Sequence, residues 1–450
     1  MWWTRVAGNA AVAAAAGRRI DELLRFARAN SPFYRERWAA LPKDRLSLSD
    51  LPVVTKPELM ARFDDWATDR SVTETAVREF VADRAHIGDL FLDKYLVWKS
   101  SGSTGEPGVY VQDRAALAVY DALLAVQMQS ARVATRYALG FFAQGGRAAL
   151  VVATGDHFAS IASWQRVCRG TPWPNASAFC VTDSTPSLVA KLNAYSPAFL
   201  ASYPTTLTVL ATEQLEGRLK IAPTCIWSGG EYLSDSTCEA VERAFGTLPI
   251  NEYGASECMA IAYSCSEGRL HVNSDWVVLE PVDRNYQPTP VGEASHTVLL
   301  TNLANRVQPI IRYDLGDSVT VSAQPCRCGS PLPAIRAEGR RDDVLALRAR
   351  DGTLVRLSPL ALTTVVEDAA PNDRFQLVQS APDQIDVRLG ASEPEKRNVE
   401  WRAVQRALTR FLAQQSLDNV HLHLDAQAPV ADPRSGKARE VIARSEGAES

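Results

Sequence analysis

At 450 residues, with 46% hydrophobic and 22% charged residues, the chain has the make-up of a folded enzyme of two or three domains. A formal net charge of −4 gives no global basic field, which argues against nucleic acid as a partner, and no apolar run reaches membrane-spanning length. The opening Met-Trp-Trp-Thr-Arg lacks the apolar core of a signal peptide, so a cytoplasmic location is expected. There the eight cysteines serve as core residues or metal ligands rather than disulfides.

Taken in chain order, residues 17–40 read as an amphipathic helix that leaves at Ser31-Pro32-Phe33-Tyr34. Residues 51–56, Leu-Pro-Val-Val-Thr-Lys, lead into another helix, and these positions read as packing. Tyr95-Leu-Val-Trp98 is a compact apolar run and reads as a buried strand. Residues 100–108 follow it as Ser-Ser-Gly-Ser-Thr-Gly-Glu-Pro-Gly. Glycines let this backbone bend, and four hydroxyls stand among them, so the loop suits either a phosphate cradle or a polar surface turn. No Gly-Lys-Ser/Thr closes it, which excludes a Walker A loop. A helix is expected over 114–130. Strand-like runs at 148–153, 178–182, 198–202 and 225–227 then alternate with helical ones up to residue 257. Ser234 is placed to cap one of those helices and Gly246 to end it. Such alternation predicts parallel α/β layers, with ligands beyond the carboxyl ends of the strands. From 270 to 320 short strands and Pro/Gly turns take over, and 344–450 reads as an α+β domain with strands at 376–378 and 385–389 and a helix over 399–413.

Six stretches stand in the order used by one large family. They are the loop at 100–108, Ser228-Gly-Gly-Glu231, Tyr253-Gly-Ala-Ser-Glu257, Arg312-Tyr-Asp-Leu-Gly-Asp317, Gly339-Arg-Arg-Asp-Asp-Val-Leu345 and Ser435-Gly-Lys-Ala438. Together they resemble the adenylate-forming (acyl-CoA synthetase) superfamily, most closely its phenylacetate–CoA ligase branch. The resemblance implies an α/β fold in three parts. A large domain over 1–338 carries parallel α/β layers and a β-rich subdomain at 265–335. A hinge at 339–343 joins it to a small, mobile α+β lid over 344–450.

The resemblance also implies roles. Ser100, Ser101, Gly102, Ser103, Thr104 and Gly105 would hold the phosphates of ATP. Glu257 would ligate magnesium, and Ser256 would touch the α-phosphate. Gly229, Gly230, Glu231, Asn251, Tyr253 and Gly254 would line the nucleotide slot. Asp317, assisted by Arg340, would accept the ribose hydroxyls. Lys437 would neutralise charge during adenylation, and Asp342 would be the hinge. Phe142, Tyr203, Gly229 and Tyr253 would border the acid; a lone Phe142 reads equally as core. Cys265, His271, Cys326 and Cys328 offer three thiols and an imidazole suited to a structural zinc, although a C-x-C pair is less diagnostic than C-x-x-C. Some members of the branch share that pattern.

The chemistry implied is activation of a carboxylate. Oxide is too poor a leaving group for a thiol to displace, so transfer of AMP to the acid makes a mixed anhydride that a thiol can attack. An aryl or arylacetic acid is expected as substrate, with coenzyme A or the phosphopantetheine arm of an acyl carrier protein as acceptor. A zinc-stabilised nucleotide-binding protein without catalysis is the rival of a different class, and a P-loop phosphotransferase fits least because its lysine is missing.

Overall fold

A computed structural model describes residues 2–42, 46–100, 108–128, 140–170, 175–338, 344–370, 375–390, 393–430 and 440–443. The helix Asn9–Asn30 buries Leu23, Leu24 and Ala27. It stops at Ser31, but the chain does not leave helical structure there as expected. The Ser31 hydroxyl accepts from the Tyr34 N–H and opens a second helix, Pro32–Arg37, with proline at a first-turn position where no donor is lost. The helix Lys56–Ala61 starts with a capping box between Thr55 and Glu58.

Fifteen strands are described up to residue 338. In chain order they are β1 (Leu90–Phe91), β2 (Tyr95–Lys99), β3 (Val109–Gln112), β4 (Ala148–Val152), β5 (Ala176–Cys180), β6 (Phe199–Ser202), β7 (Cys225–Gly229), β8 (Ile250–Ala255), β9 (Cys258–Ser264), β10 (Leu270–Val272), β11 (Val277–Val282), β12 (Thr297–Asn302), β13 (Tyr313–Asp314), β14 (Ser318–Val321) and β15 (Ala334–Glu338). The largest sheet has nine strands in the order β14-β15-β10-β9-β8-β7-β6-β4-β5. Its β5-β4-β6-β7-β8 portion is parallel and the remainder antiparallel.

Side chains alternate across this sheet. One face presents Ala149, Val151, Leu200 and Ile226 to Leu188, Leu192, Leu207, Leu210 and Val241 from the helices Thr185–Tyr195, Pro204–Leu215 and Asp235–Phe245. Ser234 caps the last of these, and Gly246 ends it, as expected. The other face turns Leu150, Ala201 and Trp227 toward Ile161 and Ala162 of the helix Ala159–Gly170 and toward Leu117 and Tyr120 of the helix Arg114–Met128.

Two expectations change. Strand β2 is buried but belongs to a separate antiparallel sheet, β1-β2-β3. Its end is tied to the segment that leaves β4 by the Lys99 N–H, which donates to His157 O at 2.7 Å, so the loop that begins at Ser100 starts beside the connection after the carboxyl end of β4. The β-rich region 265–335 does not form one sheet either. β10, β14 and β15 extend the large sheet, while β11, β12 and β13 form their own.

The C-terminal part contains β16 (Leu345–Arg348), β17 (Leu354–Leu357), β18 (Phe375–Ala381), β19 (Gln384–Leu389), β20 (His421–Leu424) and β21 (Val441–Ile442), with helices Pro359–Ala369 and Pro394–Gln414. The second helix is longer than the expected 399–413. Leu345, Leu347, Leu362, Leu377, Val387 and Leu408 form a separate core, to which the preceding part contributes buried Ala153 and Val181. Polar contacts complete the junction. Ser358 Oγ lies 3.1 Å from Thr205 Oγ1 and 3.3 Å from Thr206 Oγ1. Gln415 Oε1 accepts from the Thr185 N–H, and Arg84 pairs with Asp368. The expected hinge at 339–343, with Arg340 and Asp342, lies outside the described residues.

Candidate active site

A cleft of about 3300 Å³ opens where the carboxyl ends of β4, β6, β7 and β8 meet the β8–β9 turn, β13 and the C-terminal part. Ser100, Tyr203, Gly229, Gly230, Glu231, Asn251, Tyr253, Gly254, Ser256, Glu257 and Asp317 all line it. Residues as far apart in the sequence as Ser100 and Asp317 are thus brought to one cleft. Ser101, Gly102, Ser103, Thr104, Gly105 and Lys437 lie outside the described residues. Glu440, Ile442 and Ala443 also line the cleft, so the chain resumes at its mouth three residues beyond Lys437.

The tight β8–β9 turn carries Ser256 and Glu257. Trp98 Nε1 donates to Ser256 O at 2.6 Å, and Asn302 Nδ2 donates to Glu257 O at 3.0 Å. Glu257 itself is only 7% exposed. Its Oε1 accepts from Tyr110 and Tyr313, each at 2.6 Å, while Oε2 carries no hydrogen bond among the described residues. Burial, reinforced by the Glu257 charge, pushes both phenols well above the usual tyrosine range, so they remain donors. The turn is therefore fixed by strands of the β1-β2-β3 and β11-β12-β13 sheets, with one hard oxygen left over. A carboxylate oxygen of this kind suits magnesium.

The strand before that turn has a backbone reason for its sequence. A Cβ at Gly254 would stand 2.1 Å from Met259 O, so no side chain fits in the bulged β8–β9 pairing. Gly230 takes a φ of 83°, and a Cβ there would press on the Tyr203 ring at 3.0 Å. Tyr253 donates to Asp317 Oδ2 at 3.0 Å. Burial and the Asp317 charge hold the Tyr253 phenol well above its usual range. Glu231 accepts from the Thr205 N–H at 3.0 Å and from its hydroxyl at 2.7 Å, which ties the Ser228-Gly-Gly-Glu turn to the start of the preceding helix, Pro204–Leu215. Asn251 Oδ1 is buried and has no donor among the described residues. It is an acceptor left without a protein partner in the cleft lining.

Two sequence readings fail here. Phe142 is 76% exposed and packs edge-on against Phe141 rather than lining the cleft. The run Phe141-Phe142 can bury only one ring, and Phe141 takes the place against Gly146 and the start of β4. The aromatic walls are instead Phe158, Trp164, Tyr203, Trp227, Tyr253 and Tyr263. Lys56 was read as packing, yet its Nζ donates to Ser100 Oγ at 3.4 Å at the first residue of the Gly/Ser loop. The cleft also reaches Thr55 and Lys56, so a cation from the N-terminal helices stands at this loop. The Thr-Lys pair at a helix start was the available signal. Tyr110 gave none.

Apart from the cleft, Cys265, His271, Cys326 and Cys328 place their ligand atoms within 4.8 Å of one another. Cys265 Sγ and Cys326 Sγ are 3.7 Å apart, and Cys328 Sγ is 3.3 Å from His271 Nε2. Tetrahedral zinc with Zn–S near 2.3 Å needs sulfur atoms roughly 3.8 Å apart, so the set fits that ion. His271 Nδ1 lies 2.8 Å from Leu332 O, and donation there leaves Nε2 free as the ligand. The two halves of the site are brought together by β10, which pairs with both β9 and β15.

No protein-family model matches the chain. Among curated proteins it is 27% identical over 239 residues to phenylacetate–coenzyme A ligase of Thermus thermophilus, an alignment covering 48% of this chain and 52% of that protein. It is 24% identical over 259 residues to protein CapK of Staphylococcus aureus, covering 56% and 54%. The chain thus spans about half the length of the curated relatives it matches. Among solved structures, 2-hydroxyisobutyryl-CoA ligase in complex with 2-HIB-AMP and CoA in the thioesterification state superposes with a TM-score of 0.56 at 20% identity, over 96% of this chain and 89% of that one. The same ligase in a postadenylation state gives 0.53 at 20% identity, over 97% and 90%. The fold of this chain is that of the adenylate-forming enzymes.

Proposed function

We propose that this chain, built on the adenylate-forming fold, is an AMP-forming acid–thiol ligase. It would activate an aryl or arylacetic acid as its acyl-adenylate and pass the acyl group to coenzyme A. The observation that carries this reading is the convergence in one cleft of Ser100, Glu231, Tyr253, Glu257 and Asp317, drawn from separate stretches of sequence.

Each residue has work that suits its surroundings. Asn251 Oδ1 is a buried acceptor for the adenine amino group, with Tyr253 as the flat wall beside it. Asp317, already held by Tyr253, accepts the ribose hydroxyls. Lys56 and Ser100 add a cation and a hydroxyl where the loop 101–105 would hold phosphates. Glu257 Oε2 would hold magnesium, which neutralises phosphate charge when bound. Lys437 would approach from the C-terminal part as carboxylate oxygen nears phosphorus, so its effect belongs to the adenylation transition state. The domain boundary at 339–343 and the Asp342 hinge are part of the same proposal, as is one structural zinc on Cys265, His271, Cys326 and Cys328.

Similarity to a coenzyme A ligase supports coenzyme A as acceptor; a carrier-protein arm presents the same thiol. The test is ATP–pyrophosphate exchange over a panel of carboxylic acids, followed by thioester formation with coenzyme A and with a phosphopantetheinylated carrier protein. Acid-dependent exchange is expected. Nucleotide binding with no exchange for any acid would favour a non-catalytic binding protein.

A further inference from the structure

The acid end of the cleft contains a carboxyl group that the proposed chemistry does not use. Strand β8 sets Glu252 directly opposite Gly229 of β7 and Tyr263 of β9. Trp227 is two residues before Gly229 and therefore on the same face. That face otherwise presents Leu150, Ala201, the Trp227 ring and Tyr263, whose ring lies 5.5 Å from that of Trp227. Glu252, Trp227, Gly229 and Tyr263 all line the cleft.

Glu252 is only half provided for. Trp227 Nε1 donates to Oε2 at 2.7 Å. Oε1 has no hydrogen bond among the described residues, and none of their lysines, arginines or histidines forms an ion pair with this carboxylate. Gly229 keeps a side chain away from this carboxyl, since a Cβ there would already be in van der Waals contact with Oε2 at 3.7 Å. Burial pushes the carboxyl up to about 7, with the Trp227 N–H opposing that shift. A carboxyl kept in an apolar, aromatic wall without a cation is unfavourable unless something that enters the cleft supplies the missing donor.

We infer that the acid taken by this site carries an amino group, whose N–H donors meet Glu252 Oε1 while its ring or chain packs on Trp227 and Tyr263. An unsubstituted aryl acid would bury Oε1 without a donor. A hydroxyl-bearing acid would supply a donor but leave the charge. An ammonium supplies both, so the site discriminates through the penalty it imposes on the other two. This inference rests on the ligase reading for the position of the acid, and it narrows the substrate class to acids with an aliphatic, protonated amine, such as amino acids. The amine of an aminobenzoate is uncharged near neutral pH and serves, like the hydroxyl, as a donor without the charge.

The experiment compares matched acids on the purified full-length chain: benzoate with its 2-, 3- and 4-amino and hydroxy derivatives, and phenylacetate and 3-phenylpropionate with phenylglycine and phenylalanine. Exchange is measured for the parent, Glu252→Gln and Glu252→Ala, alongside binding of each acid by calorimetry in the presence of a non-hydrolysable ATP analogue. At least one amino acid of the set should exceed its unsubstituted and hydroxy partners by about a hundredfold in kcat/KM. Both variants should lose that advantage while they gain on the unsubstituted acid. Equal or better use of unsubstituted or hydroxy acids by the parent, or a ratio unchanged by Glu252→Gln, overturns the inference and leaves the ligase reading standing. Amino-selective binding that depends on Glu252, without exchange, upholds the inference and removes the ligase reading.

Discussion

Tyr313 donates its hydroxyl to Glu257 Oε1 across 2.6 Å, joining the strand that precedes Asp317 to the turn that carries the proposed magnesium ligand. The Tyr110 hydroxyl meets the same oxygen and lies 3.2 Å from that of Tyr313. Two phenols thus fix one carboxylate through a single oxygen and leave the other without a hydrogen bond among the described residues. Glu257→Gln keeps the shape and removes the charge, and exchange should fall about a hundredfold or more. Tyr313→Phe and Tyr110→Phe should each lower it less, about tenfold, and raise the magnesium concentration needed for half-maximal rate. Magnesium titrations of exchange for the three variants measure this. Near-normal exchange in Glu257→Gln would remove Glu257 from the chemistry.

Lys437 should separate the half-reactions. Lys437→Ala is expected to slow acyl-AMP formation strongly while largely sparing thiol transfer from supplied acyl-AMP. Asp342→Pro should do the reverse, since a fixed φ stiffens the proposed hinge. Single-turnover assays of both steps on both variants measure it. Equal loss of the two steps in Lys437→Ala would count against alternation between two orientations.

Zinc should be found at about one ion per chain in protein purified without chelator. Cys326→Ser and chelation should each lower the melting temperature, because the site joins β9, β10 and the chain before β15. Elemental analysis and thermal melts check this, and a zinc-free preparation of full stability would exclude the site.

Glu252 makes a signed prediction about stability. Its folded carboxyl titrates at about 7, above the reference value of 4.5. Between those values the folded state binds more protons than the unfolded one, so this group's contribution falls as pH rises from 4.5 through 7. Glu252→Gln removes that loss. Its melting temperature relative to the parent should therefore be higher at pH 8 than at pH 5. A pH-independent difference would show that the carboxyl is not buried uncompensated.

Gly254→Ala tests the strand geometry. With Met259 O at 2.1 Å from the added carbon, the β8–β9 turn must open. A loss of about 2 kcal/mol or more is expected from denaturant melts. Exchange should fall with it, because Glu257 rides on the same turn.

The parallel α/β core was legible because each strand carries its own signal: a short apolar run, then a turn, then a capped helix such as the one opened by Ser234. Sheet membership was not. Strand β2 looks like any buried strand, and only its pairing with β3 places it outside the large sheet. The same holds for β14 and β15, whose partners are fixed by long-range register. Motif residues such as Glu257 and Asp317 were readable only through the family resemblance of the stretches that carry them, and the cleft brings them together. Tyr110 was not readable, because its role exists only through a contact 147 positions away in sequence. Phe142 illustrates the opposite error, since adjacent aromatics on a short helical turn cannot both face inward.

The junction between the two parts of the chain is made largely of hydroxyls and exposed charges. Ser358 against Thr205 and Thr206 is an arrangement that water can replace at nearly equal free energy. The Arg84–Asp368 pair is partly solvated already, and exposed pairs of this kind contribute little. Ala153 and Val181 are small, so parting uncovers a modest apolar area. Such a seam resembles a wetted bearing: most of its polar contacts can be handed over to water, and among the described residues the only part of the C-terminal core that separation would uncover is the edge covered by Ala153, Val181 and the partly buried Phe158.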